Sequence, residues 1–271
     1  MQPASACKRG DVIQVQGSAA SGKSHLLYYM LMNCILPLSI GPTKLQGWGK
    51  LAVLLDTDHK FDVQRFSQLL RSRVKRFLPL NSSDVEVAIT MALDLLHVFQ
   101  PTSSHQLIAT IQHLPMYLAT NLPDVELGIL AVDSITAFYW SDRFILEQAR
   151  LVNRDSAPAR PKNPLNPVSV ALQSFARSHG PLILLSVWDL NLPSKAQVQR
   201  HLDPLAKYAD TSMEILPASC HITLAASSAI TGTKDVSFTN TTHLSGIVRT
   251  PGSSQITEFS LCTTEDDLFV P

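Results

Sequence analysis

A chain of 271 residues, 45% of them apolar, is long enough for one large α/β domain or two small ones and can bury a core without disulfide or metal staples. Its 22 Lys and Arg balance its 22 Asp and Glu, and only 16% of residues are charged. No global field therefore draws it toward nucleic acid or a membrane, and any DNA contact has to be local or shared with a partner. Cys7, Cys34, Cys220 and Cys262 contain no C-x-x-C pair and the histidines no H-x-x-x-H spacing, which argues against a disulfide framework or structural zinc and fits a reducing compartment. The most apolar stretch, 26–40, is broken by Asn33 and Pro37 and is too short to span a bilayer. Residues 1–9 lack an apolar signal core, so the expectation is a soluble intracellular protein with no membrane partner.

In chain order, residues 12–16 are a β-branched run closed by a Gly/Ser/Ala loop, and 24–36 read as an apolar helix stopped by Pro37. Residues 41–49 are a loop, 51–55 a fully buried strand and 62–77 an amphipathic helix. No element is assigned between 78 and 92; residues 93–99 form the next strand. Pro101-Thr102-Ser103 opens a hydroxyl-capped helix running to about residue 119, and Asn121-Leu122-Pro123-Asp124 breaks the chain before a strand at 127–132. A helix over 137–152, a proline-rich loop at 153–167 and a helix over 168–178 lead to a strand at 182–187. Unbroken apolar runs separated by helices predict a mostly parallel sheet covered on both faces. Beyond residue 210 the runs 213–216, 220–224, 246–249 and 255–261 have no helices between them and predict antiparallel hairpins, over 211–262, extending the same sheet. The expected organisation is a disordered start at 1–9, one α/β core over 10–262, and an acidic, frayed tail at 263–271.

Gly17-Ser18-Ala19-Ala20-Ser21-Gly22-Lys23-Ser24 is a complete G-x-x-x-x-G-K-[ST] match between a strand and a helix. Glycines at both ends let the loop turn its backbone N–H groups inward onto a β-phosphate, and the following helix adds its positive end. In such a loop Lys23 reaches the β- and γ-phosphates and the Ser24 hydroxyl ligates Mg²⁺, so ATP and Mg²⁺ are the expected cofactors. Asp133 ends the apolar run 127–132 at a strand's carboxyl end, where open parallel sheets bind ligands. A buried strand ending in Asp also suits a helix cap, but beside the phosphate loop Asp133 reads as the carboxylate that holds Mg²⁺ through water. Hydrolysis further needs a carboxylate to orient the attacking water. Asp58, after the strand 51–55, is the first candidate for a weak base and Asp56 the second; the competing roles are a cap of the next helix for Asp56 and a turn for Asp58.

Together these pieces resemble the RecA-type recombinase superfamily. Three stretches bring the match closer to the eukaryotic recombinase paralogues: Leu26-Leu27-Tyr28-Tyr29 with Cys34-Ile35-Leu36-Pro37, the run from Leu55 through Asp62, and Val132-Asp133-Ser134-Ile135-Thr136-Ala137-Phe138-Tyr139-Trp140-Ser141-Asp142-Arg143. The resemblance covers about residues 10 to 190. It implies a RecA-like P-loop NTPase core that acts in homologous-recombination repair of strand breaks and at stalled replication forks. It also implies a nuclear complex with other recombinase paralogues, directly with the D-type paralogue, that meets single-stranded or branched DNA as a complex.

Two departures bear on turnover. Active recombinases place Glu where Asp58 stands, and a misplacement of ~1 Å can cost about 10²-fold in rate. They also carry a polar γ-phosphate sensor where this chain has Val187-Trp188-Asp189. The recombinase's N-terminal domain, with its polymerisation linker, has no counterpart ahead of a core beginning near residue 10. The resemblance thus implies nucleotide binding with weak or absent hydrolysis and no filament of its own, against the alternative of an active DNA-dependent ATPase. A small-molecule P-loop kinase would need an arginine-bearing lid, and the arginine-rich stretch 143–162 is proline-rich without a lid helix.

Among weaker features, Pro158, Pro161, Pro164 and Pro167 recur every three residues, the period of polyproline II. Arg143, Arg150, Arg154, Arg160 and Lys162 make that region locally basic, and Lys195, Arg200 and Lys207 fall where the family has its second DNA-facing loop. Residues 71–76 are a basic helix end compensating the helix dipole. Trp48 and Trp140 suit core packing or a partner anchor.

Overall fold

The computed structural model describes residues 8–78, 83–152, 163–188, 216–226, 242–264 and 267–269. Strand β1 (Val12–Gly17) enters the phosphate-loop sequence, and helix α1 (Lys23–Ile35) leaves it. After a small hairpin, β2 (Ser39–Ile40) with β3 (Thr43–Lys44), strand β4 (Leu51–Asp56) is buried at every position. It is covered on both faces, which is why its sequence shows no polar alternation. Helix α2 (Val63–Lys75) starts where the Asp62 carboxylate accepts the N–H groups of Gln64 and Arg65 at 2.9 Å each, as an N-cap requires.

Helix α3 (Ser83–Leu93) falls in the stretch left unassigned above. Val85, Val87, Ile89 and Thr90 give it a β-branched look, yet the buried positions Val85, Ala88, Ile89 and Ala92 follow the helical period. Strand β5 (Leu96–Phe99) comes next, then α4 (Ser104–Asn121), whose cap hydroxyl, Ser103, accepts the Gln106 N–H. Strand β6 (Leu127–Asp133), α5 (Tyr139–Val152), α6 (Asn166–His179) and β7 (Leu182–Trp188) complete the alternating part. Helix α6 begins two residues earlier than expected, inside the proline-rich loop, because Pro167 sits in its first turn, where the missing N–H costs nothing. The rest of that loop, 153–162, lies outside the described residues, as do Lys195, Arg200 and Lys207.

The sheet runs β11-β10-β9-β8-β1-β7-β6-β4-β5, with β8 (Cys220–Ala226), β9 (Thr242–Arg249), β10 (Ile256–Thr263) and β11 (Leu268–Phe269) at one side. One expectation needs correcting. Strand β8 pairs parallel to β1, and the antiparallel pairing begins only with β9. The 31 residues between Trp188 and Cys220 (220 − 188 − 1) are ample for the crossover that a parallel neighbour needs. Of the expected strand at 213–216 only Leu216 is described. The end of the chain, expected to fray, carries β11, where Leu268 is 1% exposed.

One core lies on each sheet face. The first gathers α1, α2 and α3 around Leu31, Phe66 and Ala88, the second α4 and α6 around Ile111 and Leu172. The basic end of α2, though partly exposed, ties elements together. Arg71 pairs with Glu86 of α3, Arg73 bonds Asn33 of α1 and covers the Tyr29 ring, and Arg76 pairs with Asp267 and covers Phe269 of β11. Among the described residues no helix is long and apolar enough to cross a membrane.

Candidate functional site

The carboxyl ends of β1, β4, β6 and β7 lie side by side, and residues 17–24 pass over them from β1 into α1. This is where an open parallel sheet builds its ligand crevice. Both loop glycines are needed for close packing. A Cβ on Gly17 would stand 2.3 Å from Ser21 Oγ and 2.6 Å from the Leu224 carbonyl of β8; one on Gly22, whose φ is +92°, would stand 2.2 Å from Leu244 Cδ1 of β9. The C-terminal strands thus press the loop into shape, a role its sequence alone does not disclose. Helix α1 starts at Gly22 without a side-chain cap, which leaves its first N–H groups directed into the loop.

The Lys23 ammonium donates to the carbonyls of Gly17 at 2.7 Å and Ser18 at 2.8 Å. Ser24 Oγ donates to Asp133 Oδ2 at 3.1 Å, and the other Asp133 oxygen accepts the Ser186 hydroxyl. The structure therefore brings together Lys23, Ser24 and Asp133, three residues more than a hundred positions apart at the extremes. A cleft of about 580 Å³ opens on them, lined by the loop residues with His25, Asp58, Lys60, Asp133 and Trp188. The donor set fits a polyphosphate with a hard cation: inward amides, one ammonium, and a hydroxyl beside a carboxylate. Ser21 Oγ, fully buried in the loop with no hydrogen-bond partner, adds an unmet polar group to that cradle.

The two candidate bases part company. Asp58 lines the cleft. Asp56 is 2% exposed and does not; its carboxylate accepts the N–H groups of Lys60 and Phe61 at 3.1 Å each and the Gln100 amide at 3.0 Å. It forms a turn, while the cap of the next helix expected of it falls to Asp62, and it sets the course of residues 57–62, including His59 at φ +54°. Burial is the main cause that raises the Asp58 pKa, aided by Asp133 and Asp56, while Lys60 and the Trp188 indole N–H work the other way.

A raised native pKa means folding favours the protonated acid. That contribution is complete below the usual aspartate value of about 3.9 and is lost as pH rises through the native pKa, so near neutral pH the ionised Asp58 costs stability. Asp58→Asn keeps an oxygen for the Trp188 donor and removes the charge. It is expected to raise Tm near neutral pH by on the order of 1–2 °C, an advantage that vanishes as pH approaches about 4. Calorimetric scans across that pH range check it, and an equal effect at both ends would contradict it.

Several residues lining the cleft or holding its side chains escaped the sequence reading. Ser186 is the sole polar residue within the apolar run of β7, a signal that was available. Lys60 and His25 lie beside predicted residues without a motif of their own. Burial foremost, with nearby Arg65, lowers the His25 pKa, so the imidazole beside the loop is neutral at neutral pH. Trp188 occupies the expected sensor position, while Asp189 lies outside the described residues. Of the stretch 132–143, Asp142 accepts the Ser104 hydroxyl at 3.0 Å, Arg143 pairs with Glu147, and Trp140 is exposed, none of them lining the cleft. Trp48 packs half-buried against the first core.

A mostly parallel sheet with helices on both faces, C-terminal antiparallel strands and a glycine-bounded loop at the crevice is a RecA-like core. The comparisons agree. The chain is 32% identical over 134 residues to the DNA repair protein XRCC2 of Mus musculus, covering 49% of this chain and 43% of that protein. It is 27% identical over 160 residues to the DNA repair protein XRCC2 homolog of Arabidopsis thaliana, covering 50% and 43%. It is also 31% identical over 134 residues to the DNA repair and recombination protein RadA of Methanoculleus marisnigri, covering 48% and 37%. Over about half its length the chain is thus similar to XRCC2 and RadA proteins, and the matches span less than half of each relative. No family model matches the chain.

Proposed function

We propose that this protein is a nucleotide-binding subunit of a recombination-repair complex, acting in homologous-recombination repair of DNA double-strand breaks and in replication-fork protection, mainly through assembly. Its partners are other recombinase paralogues, directly the D-type paralogue, with single-stranded or branched DNA met through the complex, in the nucleus. The observation that carries the nucleotide reading is the 3.1 Å contact of Ser24 with Asp133 beside the Lys23 loop. Gly17 to Gly22 would wrap the phosphates of ATP, Lys23 would bind the β- and γ-phosphates, and Ser24 with Asp133 would hold Mg²⁺, which neutralises phosphate charge when bound. The XRCC2 and RadA names of the relatives support the repair and recombination setting.

Slow or absent hydrolysis follows from Asp58. Its carboxylate is one methylene shorter than the usual glutamate and accepts the Trp188 indole N–H, both of which oppose its use as a water-orienting base. Asp58 nevertheless lines the cleft, and this favours a second reading, a working DNA-dependent ATPase. Titration with a fluorescent ATP analogue separates the levels. Binding in Mg²⁺ that weakens about tenfold or more on chelation, as loss of a metal-mediated contact of over ~1.4 kcal/mol predicts, supports the metal-assisted site; indifference to chelation removes Ser24 and Asp133 from it. Phosphate release with single-stranded DNA and the partner paralogue then decides turnover. A rate near the ~1 s⁻¹ of ordinary enzymes, abolished by Asp58→Asn, establishes the second reading in place of the first.

A further inference from the structure

The wall of the cleft facing the phosphate loop carries a triad that no phosphate-loop motif contains. Trp188, at the end of β7 and 46% exposed, donates its indole N–H to Asp58. On the same ring lies Lys60, its ammonium 5.0 Å from the ring centroid. Residue 60 is placed by the backbone, because Asp56 grips the N–H groups of Lys60 and Phe61. All three side chains line the same cleft as Lys23 and Asp133. The indole thus holds an acid by its edge and a base by its face.

We propose that Lys60 is the specificity residue for the terminal phosphate, moving from the Trp188 ring to the γ-phosphate of a bound nucleoside triphosphate and leaving a nucleoside diphosphate unengaged. This inference rests on the nucleotide reading of the same site. Its physical basis is charge. The acids lining the cleft are Asp58 and Asp133 and the lysines lining it are Lys23 and Lys60. The loop's amides and Lys23 serve the β-phosphate of either nucleotide, and Lys23 also reaches the near side of the γ-phosphate. A third phosphate carries further negative charge toward the strand ends, where Lys60 is the described cation standing next to the two carboxylates. A cation over a half-exposed indole is held by only roughly two- to fivefold in an equilibrium, whereas a charge-assisted phosphate contact is worth roughly 10- to 150-fold. Lys60 therefore exchanges its partner when the terminal phosphate arrives. Trp188, relieved of the overlying charge, reports the change.

Tryptophan emission and titration calorimetry with ADP and with a non-hydrolysable ATP analogue, both in Mg²⁺, test this on the full chain with its partner paralogue. In the unsubstituted protein the triphosphate analogue is expected to shift the emission and ADP to leave it nearly unchanged; Trp188→Phe abolishes the shift, since Trp48 and Trp140 stand elsewhere. Lys60→Met, at an exposed position, is expected to weaken the triphosphate analogue about 10- to 100-fold and ADP by less than about twofold, and Lys60→Arg restores the preference. Equal losses for both nucleotides, or none for either while both still bind the unsubstituted protein, overturn the role of Lys60 alone. Persistence of the shift in Trp188→Phe overturns the exchange at the ring. Failure of the unsubstituted protein to bind either nucleotide overturns the nucleotide reading itself, and this inference falls with it.

Discussion

Replacing Phe66 with alanine is expected to lower the unfolding free energy by about 3–5 kcal/mol and Tm by on the order of 10 °C. Phe66 is 0% exposed on the inner face of α2. Its ring meets Tyr28 of α1 edge-on with centroids 5.4 Å apart and Phe61 at 5.4 Å, and Tyr28 and Phe61 meet each other at 5.5 Å. Alanine would forfeit the buried ring, leave a cavity between two helices and break two aromatic pairs worth about 0.5–1.5 kcal/mol each beyond their area. Phe66→Leu keeps most of the volume and is expected to cost less than about 1.5 kcal/mol. The trio has a second consequence. Tyr28 Oη accepts the Asp62 N–H at 3.1 Å, so these rings anchor the far end of the 57–62 segment that carries Asp58 and Lys60. Denaturant unfolding of the two variants measures the stability loss. Equal midpoints for Phe66→Ala and the unsubstituted protein would show that the rings do not brace this segment.

How far the amino-acid order alone reaches can be judged residue by residue. Leu51 to Leu55 announced a strand buried on both faces because a parallel sheet wrapped in helices leaves no wet side for polar alternation. Ser103 announced a helix start because its oxygen satisfies an N–H group that no helix can pair internally. Pairing across the sheet was out of reach: β8 joins β1 in parallel through a contact over two hundred residues apart in the chain, and local turn chemistry cannot distinguish that from a hairpin. The same limit split Asp56 from Asp58. Both follow one strand at a spacing of two, but β4 ends at Asp56 and the chain turns at once, with His59 at positive φ, so the pleat no longer dictates where a side chain points. The cleft's loop was readable because backbone phosphate binding demands a fixed spacing. Its opposite wall was not, since Lys60 and Trp188 converge from two separate strand ends and obey no spacing at all.

Lys23→Ala is expected to weaken nucleotide binding roughly 10- to 150-fold, the loss of one charge-assisted contact of ~1.5–3 kcal/mol, with the fold intact. The ammonium bonds two carbonyls of its own loop, one part-buried and one exposed, and touches neither core, so Tm is expected to move by less than about 2 °C. Retained Tm with lost affinity places the effect at the ligand; a large fall in Tm would instead make Lys23 a structural pin for Gly17 and Ser18. The comparison with Lys60→Met sharpens the chemistry, because the two cations stand on opposite walls. Removing Lys23, which reaches the β- and γ-phosphates, is expected to weaken both diphosphate and triphosphate, whereas removing Lys60 weakens the triphosphate alone. Unchanged affinity of Lys23→Ala for both would mean that Lys23 does not meet a phosphate, and the contact between Ser24 and Asp133 would then be a structural hydrogen bond and nothing more.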